Sequence, residues 1–301
     1  MGINMQDDNI IVNKYYGGLG NQMFQYVFGL NLEQKEKTVV ADTSWYSENC
    51  VPLGFAIEDI FSEITIRRNE EKVKLINERL KNRWIGTKIL NRLIPSTNFI
   101  YLEQNEFVYD KKALETNKWA VSGYWQCYKY VDNVSDKLKK SFSFSHHNLD
   151  ESVLRVIKCI ENSNCSVFIH IRGGDYASNL GAKKLFGNIC TADYYKNAVA
   201  IIKDKLTNPT FYVFTNDRKY AEDILQEENV NYISDIVSKS YEDWIDLMLM
   251  SKCEHGIIAN SSFSWWGAWL PGNSEKIIIA PKRWTNKHLN TDICMPNWIK
   301  I

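Results

Sequence analysis

Short apolar runs alternate with longer amphipathic stretches through both halves of this chain, and this alternation constrains the fold more than any other feature. The apolar runs have the length of single strands, and the amphipathic stretches have the spacing of helices. Strands that alternate with helices build mostly parallel sheets that are covered by helices. The pattern therefore predicts an α/β fold, and no internal repeat or low-complexity tract interrupts it.

The length of the chain, 301 residues, suits two ordinary domains better than one. Residues 141–150 form a polar run with two histidines and no apolar periodicity, which is typical of a linker. We therefore expect two domains, residues 1–144 and 145–301, and a ligand-binding cleft. In doubly wound sheets, ligands bind where strands end and helices begin.

Individual elements can be placed along this pattern. The first half is predicted to contain strand Ile10–Tyr15, a tight turn Gly17–Gly20, a helix from Asn21 to about Glu36, strand Thr38–Ala41, a basic helix Arg68–Leu93, and extended pieces at 99–102 and 119–122. The second half is predicted to contain strands Val167–Arg172, Thr210–Phe214, Gly256–Ile258 and Lys276–Ala280, and helices Thr191–Lys205, Asp217–Glu228, Tyr241–Ser251 and Ser262–Trp269. The loops after Ile171, Phe214 and Ala259 are therefore the expected places for chemistry.

The charges of the chain balance, with 36 Lys and Arg against 36 Asp and Glu. No overall field draws the protein to nucleic acid or to a membrane surface, so an anionic ligand must be held by individual cations. The charge of the basic helix is more typical of a solvated face than of a binding patch. Single arginines near strand ends are therefore the main candidates for binding an anionic ligand.

The seven cysteines are odd in number and contain no C-x-x-C pair, which disfavours a disulfide framework or a zinc site. A reducing cytosol fits this usage. The N-terminal residues are polar, and they contain no apolar stretch long enough for a signal peptide or a membrane span. We therefore expect a cytoplasmic protein without a transmembrane segment, and peripheral membrane association stays open.

A glycine cluster, GGLGNQ, lies between the first predicted strand and its helix. Glycines such as Gly18 and Gly20 allow a ligand to approach the backbone, and the start of the following helix offers N–H groups to an anion. Asn21 is the first polar side chain of that helix. Structural turns also produce such clusters, and the sequence contains neither a dinucleotide fingerprint nor a P-loop.

The second candidate motif, HIRGGDY, stands at the end of a nearly continuous apolar strand. Alternation along a strand sends His170 and Arg172 to the same face at the carboxyl edge of the sheet. Arginine suits forked binding of a diphosphate. The alternative is a structural ion pair between Arg172 and Asp175.

The third candidate extends from Asp246 to Trp269 and reads as a helix, an apolar strand and an aromatic helix. Asn260, Ser261 and Ser262 stand just before the aromatic helix. Asparagine and serine are ordinary helix caps. Three small hydrogen-bonding residues at a sheet edge also make a phosphate-binding site.

Taken together, these motifs resemble one known family. They are GGLGNQMFQYVFG, SGYWQCYKYV, HIRGGDY, FYVFTND and ANSSFSWWGAWL, and they extend in order from Gly17 to about Trp298. The chain is similar to the α-1,2-fucosyltransferases of bacterial glycan synthesis, glycosyltransferase family 11, which are related to the blood-group H enzymes. The resemblance implies two Rossmann-like domains of the GT-B type, with the acceptor on the N-terminal side and GDP-fucose on the C-terminal side.

The resemblance also implies a role for individual residues. Arg172 matches the arginine on the donor β-phosphate, and His170 matches the histidine beside the nucleotide. Asp246 precedes Ser262 by the spacing that separates a guanine-reading aspartate from a phosphate-binding serine in related enzymes. Asn21 matches the asparagine that faces the phosphates and the acceptor.

One departure from the family is that Gly173 replaces the usual second arginine, which puts a second cationic phosphate contact in doubt. The general base is not identified: Asp175 is a nearby carboxylate, but it can equally pair with Arg172. The resemblance implies inverting transfer without a metal or other cofactor. The absence of a D-x-D motif agrees with the lack of a metal, because no such ligand set is available to bridge a diphosphate. The expected partners are GDP-fucose and a galactose-containing oligosaccharide or lipid-linked glycan.

The family assignment predicts a galactoside 2-α-L-fucosyltransferase of surface polysaccharide or O-antigen synthesis. Two alternatives stay open. The first is a transferase that uses another GDP-sugar or another acceptor hydroxyl. The second is a non-catalytic relative that binds a glycan or a nucleotide.

Overall fold

The structure is a computed structural model, and it describes residues 9–51, 53–85, 99–144, 149–172, 180–225, 229–237, 243–270, 275–289 and 291–301. Contacts between Cα atoms divide the chain into two compact units, Met1–Ser143 and Phe144–Ile301. The division falls inside the polar run 141–150. We call these the N-terminal and C-terminal units.

In its described part, the N-terminal unit has a four-stranded parallel sheet in the order β2-β1-β4-β3. The strands are β1 (Ile10–Lys14), β2 (Thr38–Asp42), β3 (Ile100–Leu102) and β4 (Ala120–Ser122). The helices are α1 (Leu19–Glu33), α2 (Trp45–Glu48), α3 (Ile57–Ile60), α4 (Glu70–Ile85), α5 (Lys111–Leu114), α6 (Tyr128–Asp132) and α7 (Ser135–Ser141). Strands β1 and β4 are the two central strands of this sheet.

The described part of the C-terminal unit has a six-stranded parallel sheet in the order β10-β9-β8-β5-β6-β7. The strands are β5 (Ser166–Ile171), β6 (Thr210–Thr215), β7 (Val230–Tyr232), β8 (His255–Ile257), β9 (Ile278–Ala280) and β10 (Ile299–Lys300). The helices are α8 (Glu151–Glu161), α9 (Leu180–Phe186), α10 (Ala192–Lys205), α11 (Arg218–Ile224), α12 (Ile233–Ile236), α13 (Trp244–Lys252) and α14 (Ser262–Trp269). The order of this sheet reverses between β5 and β8.

Burial explains why the central strand of the C-terminal unit reads as one apolar run. All six residues of β5 are buried, and Val167, Ile169 and Ile171 join a core with residues of helix α10, including Ala198 and Ile202. A strand with helices on both of its faces has no solvated side to carry polar residues. The predicted α/β fold with two parallel, Rossmann-like sheets is confirmed.

Helix α8 is absent from the sequence-based prediction. Asp150 caps it by accepting a hydrogen bond from the N–H of Ser152 at 2.8 Å, and Val153, Val156 and Ile160 form its buried face. The spacing of these apolar residues is that of a helix, but it follows the polar run directly and is short. The strands β7 and β10 are also too short to stand out from the sequence.

Several predicted helices differ at their ends: α1 extends over Leu19–Glu33, and Thr191 is the N-cap of α10 rather than its first residue. The basic helix begins at Glu70 and is described as far as Ile85, whereas the predicted remainder to Leu93 lies outside the described residues. Asp217 is the N-cap of α11 rather than its first residue, because its carboxylate accepts a hydrogen bond from the N–H of Tyr220. Among the described residues, no helix is both long enough and apolar enough to cross a membrane.

Candidate functional site

The carboxyl ends of β5 and β8 meet at the point where the C-terminal sheet reverses its order. Connections leave two such strands in opposite directions, and a crevice opens between their ends. The register pairs Ile169 with Ile257, so Arg172 and Asn260 each lie three residues beyond a paired position. The structure thus brings together the strand ends that carry two of the predicted motifs.

His170 is the polar side chain of β5 beside this crevice, and it is 8% exposed. Burial lowers its pKa to about 3, and the nearby Arg172 guanidinium contributes in the same direction. The imidazole is therefore neutral at physiological pH. Its Nδ1 atom is buried and has no hydrogen-bond partner among the described residues, and its ring centre lies 6.0 Å from that of Phe263.

Arg172 follows directly after β5 and is half-buried. Its positive charge adds to the lowering of the His170 pKa. Tyr195 fixes the strand end by donating from its hydroxyl to the carbonyl of His170 at 3.1 Å. Gly173 and Asp175 lie outside the described residues, so the predicted roles of these two positions stay predictions.

On the β8 side, Asn260 is buried and holds three segments together. Its amide donates to the carbonyls of Phe186 and Trp284, both at 3.1 Å, and its oxygen accepts from the Cys190 thiol at 3.5 Å. Both amide hydrogens of Asn260 therefore bind protein carbonyl groups. The sequence had instead predicted that Asn260 contacts the GDP-sugar. This geometry favours a positioning role for Asn260.

Ser261 and Ser262 begin helix α14 at the same sheet edge. Ser261 is the N-cap residue, and its side chain makes no capping hydrogen bond. It is 5% exposed, so its hydroxyl is held at the start of the helix rather than in solvent. Hydroxyl groups and backbone N–H groups at a helix N-terminus suit an anion.

Asp246 lies in the first turn of α13 and is half-buried. Helices α13 and α14 pack closely, since a side chain at Gly267 would lie 3.0 Å from Cβ of Met250. This packing fixes the helix that carries Asp246 relative to the helix that begins at Ser262. The packing of these two helices therefore fixes the position of Asp246 relative to Ser262.

In the N-terminal unit, the glycine cluster forms the turn between β1 and α1. Gly17 has φ of +82°, and a Cβ atom there would lie 2.3 Å from Nδ2 of Asn21. Asn21 accepts a hydrogen bond from Nε2 of Gln126 at 2.8 Å. Gly18 is the exposed N-cap with open space around it, whereas Gly20 is buried inside the helix.

Two glutamines of α1 hold neighbouring loops and were not predicted as part of the site. Gln22 accepts from the N–H groups of Ala56 and Ile57 and donates to the carbonyl of Gly54 at 2.7 Å. Gln25 accepts from the N–H of Tyr16 at 3.2 Å. Both side chains are fully buried, and Gln22 follows Asn21 directly in the GGLGNQ motif.

Partly exposed aromatic rings also line the carboxyl edge of the N-terminal sheet. The rings of Tyr16 and Tyr124 are 4.8 Å apart, and that of Trp45 lies 6.4 Å from Tyr16. Tyr16 follows β1 and Tyr124 follows β4, so the rings stand at the carboxyl ends of the two central strands. Aromatic faces at such a position suit the apolar face of a sugar.

A group of potential metal ligands lies at the opposite edge of the C-terminal sheet. Cys165, Glu254 and His255 have ligand atoms within 4.8 Å of one another, at the amino ends of β5 and β8. Nδ1 of His255 accepts a hydrogen bond from the N–H of Ile277 at 3.0 Å. A metal-binding histidine ordinarily donates from its second nitrogen, so this arrangement suits a metal poorly.

Any enzymatic activity of this protein should survive excess EDTA. The sequence offers no D-x-D to bridge a diphosphate, and Cys165, Glu254 and His255 lie at the sheet edge opposite Arg172. Initial rates before and after treatment with EDTA test this expectation. Complete loss of activity followed by recovery with Mg²⁺ or Mn²⁺ would contradict it.

The fold and these positions define a class of protein: two parallel α/β units that carry polar and aromatic side chains at the carboxyl ends of their strands. The model of the family described as "Glycosyl transferase family 11" matches residues 68–301. The chain belongs to this family, and it is a glycosyltransferase.

Several known proteins are similar to this chain over much of its length. An α-1,2-colitosyltransferase of Escherichia coli is 32% identical over 97% of this chain and 99% of its own. The O-antigen biosynthesis glycosyltransferase WbnK of Escherichia coli is 30% identical over 95% and 98%. A solved structure of the fucosyltransferase NodZ from Bradyrhizobium covers 86% of this chain and 92% of its own, with a TM-score of 0.49 and 11% identity.

Proposed function

We propose that this protein transfers L-fucose, or a closely related deoxy sugar, from a GDP-linked donor to the 2-hydroxyl of a terminal galactose. The acceptor is a galactose-containing oligosaccharide or a lipid-linked glycan of surface polysaccharide synthesis. The observation that carries this proposal is the position of Arg172 and Ser261–Ser262 just beyond the neighbouring strands β5 and β8, where the C-terminal sheet reverses its order. Family membership and the names of the two Escherichia coli relatives support it.

In the proposed reaction, Arg172 and the start of α14 bind the diphosphate of the donor. Charge develops on the phosphate as GDP leaves, and fixed donors at that point lower the barrier. The neutral imidazole of His170 supplies one hydrogen bond beside the nucleotide. The carboxylate of Asp246 accepts the two adjacent N–H groups of guanine.

The acceptor hydroxyl attacks the sugar carbon from the face opposite GDP, which inverts the configuration at that carbon. The β-linked donor then gives an α-linked product. By resemblance, Gly18, Gly20 and Asn21 are assigned to substrate binding from the N-terminal unit, which we propose binds the acceptor. The C-terminal unit binds the donor.

A second candidate donor follows from the colitosyltransferase relative. Colitose is fucose without its 3-hydroxyl. A site that forms a hydrogen bond to this hydroxyl would select fucose, and a site without such a bond would accept colitose. Initial rates with GDP-fucose, GDP-colitose and GDP-mannose, on a panel of β-galactosides, decide between them. Preference for GDP-mannose would remove the proposed donor class.

We expect Asp246→Asn to weaken GDP binding about 10- to 100-fold, because the amide faces one guanine N–H with a donor instead of an acceptor. The mutant should also lose selectivity for GDP over inosine diphosphate, which lacks the 2-amino group. Calorimetry with both nucleotides measures these effects. The exposed Asp243, three residues earlier, provides a matched control.

In this comparison, Asp243→Asn should bind GDP as the wild type does. Equal affinity of wild type and Asp246→Asn for GDP would show that Asp246 does not read the base. Equal loss in both variants would indicate a general effect of charge at this end of α13.

A further inference from the structure

Glu103 stands at the carboxyl edge of the N-terminal sheet, directly after β3. Strand β3 pairs with β4, and β4 pairs with β1, the other central strand of this sheet. Ligands of open parallel α/β sheets bind outside the carboxyl ends of the strands. Glu103 is half-buried there, beside the edge that carries Tyr16 and Tyr124.

The carboxylate of Glu103 is held in one position by the turn after β4. Oε2 accepts from the N–H of Tyr124 at 2.8 Å, and Oε1 accepts from the N–H of Trp125 at 3.2 Å. A Cβ atom at Gly123 would lie 2.6 Å from Cβ of Glu103, so only glycine allows this approach. Each oxygen accepts one bond and therefore keeps acceptor capacity.

The turn that holds Glu103 has an unusual backbone conformation. Trp125 has φ of +56°, which is uncommon for a residue with a side chain, and its fully buried ring stacks on Phe28 at 3.8 Å. Residues held in such conformations cluster at functional sites. The packing of Trp125 thus fixes both N–H groups that orient the Glu103 carboxylate.

The surroundings of Glu103 disfavour its charged form. Burial raises its pKa to about 7, the two backbone N–H groups oppose this change, and the carboxylates of Glu106 and Asp110 add to it. None of the ion pairs in the described part of the chain includes Glu103. The titratable groups that face it are Glu106, Asp110, Tyr16, Tyr124 and Tyr130.

We propose that Glu103 is the general base that accepts the proton of the attacking acceptor hydroxyl, and this inference rests on the proposed transferase function. The acceptor oxygen forms a bond to the sugar carbon while the bond from that carbon to the phosphate oxygen breaks. GDP leaves with the electron pair, and the hydroxyl proton passes to Glu103 and then to water. The rings of Tyr16 and Tyr124 hold the acceptor sugar beside the carboxylate.

Glu103→Gln tests this role, because the amide keeps the shape of the side chain but accepts no proton. We expect transfer to galactosides to fall about 10²- to 10⁴-fold. The affinity for GDP should stay near that of the wild type. Azide needs no deprotonation, so it should restore formation of a sugar product, the glycosyl azide, in the variant.

The pH profile supplies a readout that a structural role would not change. The base acts when deprotonated, so wild-type kcat/KM for the acceptor should fall as pH drops below about 7. This acid limb should disappear in Glu103→Gln. The exposed Glu106 is the matched control, and Glu106→Gln should keep full transfer at pH 8 while its acid limb moves to lower pH.

The outcomes separate this inference from the proposed function. A wild-type protein that neither hydrolyses GDP-sugars nor transfers them would refute the function itself. An active wild type, combined with Glu103→Gln transfer within tenfold of normal, would refute the base. If Glu103→Gln fails to fold, an acid limb that Glu106→Gln leaves unmoved would refute it as well.

Discussion

Arg172→Lys should lower kcat by at least about 10²-fold while the thermal unfolding midpoint stays close to that of the wild type. Lysine keeps one positive charge but loses the planar fork, so two hydrogen bonds to the departing phosphate cannot both form. These contacts strengthen as GDP leaves, so their loss affects kcat rather than only KM. Steady-state kinetics and calorimetric melting on one preparation measure both quantities.

Arg218→Lys provides the matched structural control in the same unit. Nε and Nη2 of Arg218 bind the carboxylate of Asp235 at 3.0 and 2.8 Å, and the guanidinium lies 3.4 Å from the ring centre of Tyr232. This substitution should lower the melting temperature and leave turnover unchanged. If Arg172→Lys shows the pattern of Arg218→Lys, Arg172 belongs to a structural ion pair.

Gly17→Ala should lower the free energy of unfolding by about 2–3 kcal/mol and also reduce transfer. About 1–2 kcal/mol comes from φ of +82°, which disfavours a residue with a Cβ atom. The rest comes from displacement of Asn21, whose amide lies where the new Cβ would be and whose bond to Gln126 would break. Urea unfolding and initial rates measure the two effects.

Gly54→Ala separates the backbone effect from the collision. Gly54 also has positive φ, +57°, but no atom lies within 4 Å of the position of an added Cβ. We expect Gly54→Ala to lose about 1–2 kcal/mol of stability and no activity. Equal transfer rates in the two variants would show that the position of Asn21 does not matter to the reaction.

The central strands and helices could be predicted from the sequence because the pattern of their apolar residues follows from their burial. Four of the six residues of strand β5 are apolar since helices cover both of its faces, and the glycine cluster before α1 is typical of a turn. Helix α8 was missed because its four buried residues follow the polar run at the unit boundary. Short strands such as β7 depend on pairing with β6, which no local pattern shows.

Residues of the candidate site could be predicted only where they belong to a recognisable sequence motif. His170 lies in β5 as predicted and Arg172 follows that strand directly, while the roles assigned to them by resemblance stay predictions. The partners of Asn260 are 74 and 24 residues away, so its structural hydrogen bonds could not be read from the sequence. Glu103 was missed for the same reason, because the N–H groups that hold it belong to the loop after another strand.

The most direct test of the account is the structure of the product formed by the wild-type protein from GDP-fucose and a β-galactoside. Nuclear magnetic resonance of the purified product gives both its anomeric configuration and the hydroxyl that carries the new sugar. The account predicts an α-linked deoxy sugar on the 2-hydroxyl of galactose, with release of GDP. A β-linked product, or no consumption of GDP-fucose or GDP-colitose by folded protein, would contradict it.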